Sequence, residues 1–564
     1  MIAPRTSAPP RTALLVGALL VGALLGACSG RIGEQASVTP GGGGGGGPGP
    51  SASCARPTPP LTPRLPRLSF AQYDASVRAL TGLDVTPSTE LGPEVEGVTP
   101  VLWAGLRVAA EDVARRAIAD PSARARLIRC APAGDGAACA RDTIAQLGRR
   151  AYRRALTAVE QARYQALWDD RATLTARGSF DEGIEVVLAA MLQAPGFLLR
   201  AERSATRDGD RIRVEGVELA TRLSYALWNA PPDEALLDAA ERGALDTREG
   251  VAAEAKRMLS SPEGVAQARA MFRDAARDWL GMTGAYAQFW SNTQRDPALF
   301  SEFYAGIDAD FREEVLRFVD HVVFERAGSF AELFTSREAV VNDKLAPIYG
   351  VAAPPAGTWA PVTLDEARPG LLTRAGFVGT HGRFGRGSLI FRGTFVLTRL
   401  MCQHLGSPPA GADATPLPDA SGTARTTRER VVAMTSPPAC AACHQTRINP
   451  AGFALKGFDG LGRARAEDNG VPVDTTGALA IDGVTQSYAD APGYARLLAG
   501  ASEVRACWVQ RFADFTWSDI DVDLGCAKAE LATTLADPAL SVKDALVAMV
   551  SSDVFRYRAA QEAP

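Results

Sequence analysis

Glu218-Leu-Ala-Thr-Arg-Leu-Ser-Tyr-Ala-Leu-Trp-Asn229 sets Leu219, Leu223, Ala226 and Leu227 on one stripe, with Tyr225 and Trp228 beside it. Apolar residues recurring at three and four positions mark a helix with one buried face. Pro231-Pro232-Asp233-Glu234 then opens a second helix, since proline is tolerated in a first turn. Both aromatics are assigned to a core. Further on, the same period runs through residues 252–280 and 303–324, so the middle of the chain reads as several packed helices; His321, in the last of them, is assigned a structural role. Toward the N-terminus, residues 142–203 are also helical, and the arginines of Leu147-Gly-Arg-Arg-Ala-Tyr-Arg-Arg154 read as a solvated face. Phe70, Tyr73, Val77 and Leu80 predict a short amphipathic helix that stops near Gly82. The last section starts helical, contains a predicted hairpin from Val471-Pro-Val-Asp474 across a Thr-Thr-Gly turn to Ala478-Leu-Ala-Ile481, and closes with helices such as 542–550. The expected fold is mainly α: a multi-helix N-terminal and central region, then a C-terminal module with a small β-hairpin.

At 564 residues the chain exceeds one ordinary domain. Composition shifts divide it into 1–28, 29–66, 67–140, 141–205, 206–350, a linker-containing 351–425 with two Pro-rich stretches, and 426–564. The hydrophobic share of 46% and charged share of 22% are those of a globular protein. A net charge of −4, from 60 basic and 64 acidic residues in mixed order, provides no basic field and excludes nucleic acid as a partner.

Arg5 and Arg11 precede an apolar run, 14–25, that ends in Leu25-Gly26-Ala27-Cys28. The run is too short to span a bilayer and has the form of a bacterial signal peptide with a lipobox, so Cys28 is the expected lipidation site and mature N-terminus. Ser29, by resemblance to sorted lipoproteins, favours the outer membrane. The expected location is the cell envelope, as an outer-membrane lipoprotein facing the periplasm or cell surface and held to the membrane by its lipid. Gly41 to Gly47, Pro48 and Pro50 then form a tether with nothing to bury, which would stand the folded part off the membrane.

Export permits disulfides, and there are nine cysteines. Cys130 and Cys139 flank a short loop and form a candidate local bridge; Cys507 and Cys526 are a second candidate pair; Cys54 and Cys402 pair with each other or stay free. Cys440-Ala-Ala-Cys443-His444 carries the chemistry. In a Cys-x-x-Cys-His motif two thiols add to the haem vinyl groups and the histidine becomes the proximal iron ligand, so Cys440, Cys443 and His444 are the expected sites for covalent haem c. The C-terminal module is therefore c-type-haem-like. The competing readings are a redox disulfide, which lacks a thioredoxin-like βαβ pattern nearby, and a zinc site, to which only Cys402 or His404 could be added. Candidates for the opposite face of the iron are Met401, His404, Met434 and Met549, with Met434 the possible distal ligand six residues before Cys440. Asp459, Asp468, Asp474 and Asp482 cluster in sequence without the spacing of an EF-hand loop. No Gly-x-Ser-x-Gly, Walker loop or His-Glu-x-x-His occurs, so serine hydrolase, nucleotide-dependent and zincin chemistry lack a motif.

Cys440-Ala-Ala-Cys-His-Gln-Thr-Arg-Ile-Asn-Pro-Ala-Gly-Phe-Ala-Leu-Lys-Gly-Phe-Asp-Gly-Leu-Gly-Arg463 resembles the C-terminal half of the planctomycete-type cytochrome-like proteins, exported multi-domain proteins of unknown function. Leu68-Ser-Phe-Ala-Gln-Tyr73, Arg149 to Leu156, Met191 to Phe197, Arg222 to Trp228, Phe391 to Leu397 with Cys402, and Ser551 to Arg558 follow in the family's order. Two positions depart from the pattern: Met434 stands where a histidine is common, and Lys456 where an acidic residue is common. The resemblance implies a cytochrome-like label without a substrate. The expected activity is electron transfer in the envelope, with a redox partner protein. The alternatives are a haem peroxidase or oxidase with an open distal face, and a structural or binding lipoprotein with bridged or zinc-bound cysteines and no haem.

Overall fold

Serine before an apolar stripe is a strong helix start, and Ser69 caps the helix Phe70–Thr81 with a reciprocal pair of bonds to Gln72, while Gly82 closes it in the left-handed conformation. The helix Gly216–Trp228 forms as its stripe predicts and ends at Asn229, itself left-handed at φ 50°. Its aromatics do belong to the core. The Trp228 indole donates to the Met258 carbonyl at 3.1 Å, and the Tyr225 hydroxyl meets Ser76 at 2.8 Å. The computed structural model describes residues 65–95, 97–291, 295–383, 386–407, 417–420, 422–517 and 525–560. The signal segment, the tether, Cys28 and Cys54 lie outside the described residues.

The fold is mainly α with small antiparallel strand pairs. One core gathers the helices Phe70–Thr81, Pro100–Ala119, Ala137–Tyr152, Ala158–Asp169 and Phe180–Leu192 around Leu106, Ile144, Trp168 and Leu188. A larger core joins Gly216–Trp228, Arg248–Ser260, Pro262–Trp279 and Ile307–Asp320 to the C-terminal helices Ala491–Gly500, Ser502–Thr516 and Val542–Ser551. Residues 371–400, within the stretch read as linker-containing, contribute Leu371, Phe377, Val378 and Phe395 to that same core. The strand Arg211–Arg213 pairs antiparallel with Tyr557–Ala559, so the chain's end is stitched to its middle. Among the described residues no helix is long and apolar enough to cross a membrane.

Three local readings need correction. The arginines of 149–154 are not a uniformly solvated face: Arg149 bridges Asp238 and Glu241, and Arg153 is buried, donating to the carbonyls of Gly196, Phe197 and Leu199. The predicted hairpin across Thr475-Thr476-Gly477 is replaced by two others, Glu467–Asp468 with Val471–Pro472 and Gly477–Ile481 with Val484–Tyr488. Their two-residue turns are Asn469-Gly470 and Asp482-Gly483, all four residues at positive φ. That is the turn whose twist matches paired strands, and Asn-Gly and Asp-Gly are its signatures. His321 takes the structural role expected of it: Nδ1 contacts Glu325 at 2.6 Å and Nε2 contacts Glu338 at 2.9 Å. The third correction concerns the cysteines. Cys130 bonds Cys139 as expected, but Cys507 bonds Cys402, with Cα atoms 5.4 Å apart, and not Cys526. Packing decides this pair: the helix Ser502–Thr516 lies against the turn Val396–Leu400, and Cys402, left-handed at φ 51°, brings its thiol to that helix. The Cys526 side chain lies outside the described residues.

Candidate functional site

The Cys-x-x-Cys-His motif occupies a helix–turn–helix segment whose entry is firmly set. Thr426 caps the helix Thr427–Met434, exchanging bonds with Glu429, and Pro437-Pro438 ends that run and starts the helix Pro438–Cys443. Cys440 and Cys443 sit one turn apart, half-buried, with unbridged thiols. A wide π turn, His444–Ile448, follows before the helix Asn449–Phe453. Such turns recur at functional sites because they re-aim one side chain within a continuous helix.

The π turn brings Asn449 back to His444. Thr435 donates its hydroxyl proton to the Val431 carbonyl at 2.7 Å, so its lone pairs accept from Asn449 Nδ2 at 2.9 Å and Gln445 Nε2 at 3.1 Å. With its amide nitrogen thus committed, Asn449 turns Oδ1 toward His444 Nδ1, 3.3 Å away. An acceptor there favours the proton on Nδ1 and leaves the Nε2 lone pair for a ligand. Asn449 is almost wholly buried, so this orientation is built into the core.

Two glycines hold the segment in place. A Cβ on Gly452 would lie 2.1 Å from the Leu389 carbonyl oxygen, and one on Gly393 would lie 2.0 Å from that of Ile448, so the helices Leu389–Phe395 and Asn449–Phe453 cross in backbone contact. Beyond them, the loop 455–463 is buried without forming a ladder, and arginines satisfy its carbonyls. Arg392, fully buried, donates to Leu455 and Val378 at 2.6 Å, to Asp459 at 2.9 Å and to Phe458 at 3.1 Å. Burial pushes its guanidinium down to about 9, still charged at neutral pH. Arg295 reaches Gly460 and Gly379 at 2.7 Å, and Arg368 reaches Gly462 at 2.7 Å. Lys456, the departure from the family pattern, is buried against Asp468 at 3.1 Å, and Asp468 in turn accepts from the Thr427 backbone at 2.7 Å. It braces the start of the helix that leads into the motif. Burial lowers the lysine's proton affinity, and Asp468 offsets this.

Of the four candidates for the far side of the iron, Met401 and Met549 are core residues. Met434 is half-buried at the end of its helix, beside the Thr435 relay, and His404 is exposed. The His404 carbonyl and the Gln403 side chain accept from Arg447 at 3.3 and 3.0 Å, which ties residues 403–404 to the helix turn after His444. The disulfide at Cys402 removes one ligand from the zinc reading, and among the described residues no group of three His, Cys, Asp or Glu side chains converges. The four aspartates do not form a calcium site either. Asp459 binds Arg463, Asp474 binds Thr476 and Arg428, and Asp482 caps the helix at Ser502.

Residues 139–202 match PSD5, a protein of unknown function (DUF1595); residues 214–351 match PSD4 (DUF1592); residues 368–468 match PSCyt3 (DUF1588). The three together cover more than half of the chain. It belongs to the planctomycete-type cytochrome-like proteins. In this cytochrome-like chain the third match begins at Arg368, a clamp residue, ends at Asp468, the partner of Lys456, and encloses the whole Cys-x-x-Cys-His segment. No curated protein and no solved structure matches it. The sequence singles out the two thiols and His444 as candidates; Asn449 and Thr435 join them only through the fold, and the Asn-Pro that follows the motif was their only trace.

Proposed function

We propose that this is an exported c-type-haem protein, anchored in the outer envelope through lipid on Cys28, that passes electrons to or from a redox partner protein. The reading rests on one observation: two unbridged thiols one helical turn apart, next to an imidazole that the Asn449–Thr435 relay leaves with Nε2 free. The residues fit the group. Cys440 and Cys443 would attach haem through thioethers, and His444 would take the iron. Bound haem supplies a one-electron iron couple whose potential follows from its axial ligands and the burial around it. Asn449 would fix the orientation of the proximal ring, and the glycine crossing and arginine clamps would keep the segment from shifting between oxidation states.

The test is maturation of the chain, signal segment intact, in a host with haem-attachment machinery, followed by acid–acetone extraction and a pyridine haemochrome spectrum. The expected result is a c-type α-band that survives extraction and disappears in Cys440→Ala. An exported protein that retains no haem would replace this reading with that of a structural or binding lipoprotein.

A further inference from the structure

Where the N-terminal core meets the larger one, a cleft of about 540 Å³ opens between residues 152–164 and 194–203, with the start of the helix Gly216–Trp228 also lining it. Its two walls are fixed to each other. Buried Arg153, on the first, donates to the carbonyls of Gly196 at 3.0 Å, Phe197 at 3.1 Å and Leu199 at 2.8 Å on the second. The Tyr152 ring packs so closely on Gly196 that a Cβ there would lie 2.7 Å from it. The cleft is therefore preformed, in the size range and at the kind of junction where small molecules bind. Its charge is opposite to that of the whole chain: five arginines and two glutamates line it, in a protein of net charge −4. Both carboxylates are engaged. Glu160 accepts from Arg154 at 2.8 Å through each oxygen, and Glu218 accepts from the backbone N–H groups of Arg203 at 2.7 Å and Ser204 at 2.8 Å. Arg163 and Arg203, exposed at the rim, have no carboxylate partner for their guanidinium groups among the described residues. A second feature lies deeper. The hydroxyls of Tyr152 and Tyr164, two cleft residues each 6% exposed, bond to one another and to no other group among the described residues. One donates to the other, so the accepting hydroxyl keeps a proton of its own with no acceptor, in a position closed to bulk water.

We infer that this cleft binds a small organic acid, a carboxylate carried on an apolar body. The rim guanidinium groups draw the anion in, the leftover tyrosine proton is donated to its carboxylate, and Leu156, Pro195, Leu199 and Val217 cover the apolar part. A phosphate is disfavoured by the one helix N-terminus in the cleft. The helix Ala158–Asp169 begins there, but Thr157 and Glu160 already cap it reciprocally, so no cradle of open N–H groups remains for a tetrahedral dianion. The inference stands apart from the haem reading, since no lining residue belongs to the Cys-x-x-Cys-His segment or its clamps.

The test titrates the exported full chain with two probes, phenylacetate and hexanoate, and with hexanol and phenyl phosphate as comparators, read by ligand-observed NMR. At least one carboxylate is expected to bind with a Kd on the order of a millimolar or below, and hexanol about tenfold more weakly or not at all. In Arg163→Gln/Arg203→Gln, whose thermal unfolding should match the parent because both side chains are at the surface, carboxylate binding is expected to weaken about tenfold. Tyr164→Phe should weaken it by a similar factor, and Arg107→Gln, which removes an exposed arginine outside the cleft, should leave it unchanged. If Tyr164→Phe does not fold, the arginine pair decides alone. Binding of neither carboxylate at millimolar concentration, binding unaffected in the double variant, or equal binding of hexanol overturns the inference. Phenyl phosphate bound more tightly than both carboxylates, and weakened by the same variants, assigns the cleft to phosphate esters and also overturns it.

Discussion

The turn that carries Cys440, Cys443 and His444 and the loop at 455–463 lie a few residues apart in one chain, yet they treat polar groups in opposite ways. In the loop the clamps are engaged: Arg392, Arg295 and Arg368 are buried and donate to backbone carbonyls. In the turn, two thiols and one imidazole nitrogen are left half-buried, with a relay behind them that orients without consuming them. Buried polar groups are normally satisfied, so a segment that withholds satisfaction inside a well-clamped frame is where chemistry is expected. The frame bears the stability, and the turn holds the groups on which the proposed function rests.

That division can be broken most severely at Arg392. In Arg392→Ala the four carbonyls lose their shared donor in a site closed to bulk water, and a loss of about 4 kcal/mol or failure to fold is expected, read by urea unfolding of the haem-free protein. A loss under ~1 kcal/mol would mean that water replaces the guanidinium and the loop is not clamped.

The next effect is on pH. His381 is fully buried among Phe289, Trp290, Phe377 and Phe395, with Nδ1 held by the Phe377 carbonyl at 3.0 Å, and burial depresses it to about 4. Its ordinary value in the unfolded chain is about 6.5. Between those two values the unfolded chain binds the extra proton, so this contribution to stability is fully present above about 6.5 and is lost as pH falls toward 4. The loss is on the order of 3 kcal/mol, and its slope should vanish in His381→Phe, as measured by unfolding midpoints across that range. A slope unchanged in the variant would assign it to other groups.

The smallest effect is expected in the turn. Asn449→Ala removes the acceptor of His444 Nδ1 and the donor to Thr435 for about 1–2 kcal/mol. Its diagnostic consequence is the ring: nitrogen NMR of His444 in the haem-free protein should shift from a predominant Nδ1–H form toward a mixture of tautomers. An unchanged tautomer would remove the relay from the argument.

The helices were legible because their period is written locally: Leu219, Leu223 and Leu227 announce Gly216–Trp228 with no tertiary knowledge. Cys440 to His444 was legible for the same reason, since motif spacing is local. The bond between Cys402 and Cys507 was not, because 105 residues separate them and only the docking of Ser502–Thr516 brings them together. The hairpins at Asn469-Gly470 and Asp482-Gly483 carried a readable turn signal that the Thr-Thr-Gly reading passed over. The Asn449 relay depends on the extra residue of a π turn, which no apolar periodicity encodes. Local chemistry was therefore recoverable, and chemistry made by convergence was not.

The pairing of Arg211–Arg213 with Tyr557–Ala559, and the seating of Val542–Ser551 on Arg248–Ser260, carry a consequence for biogenesis. Synthesis delivers the middle of the chain long before its last strand, so the larger core cannot close vectorially. It stays open until residues 542–559 emerge, and a chain stopped before Val542 would carry an unpaired strand edge at Arg211–Arg213 and a bare apolar face on Arg248–Ser260: a substrate for quality-control proteases, not a shortened working protein.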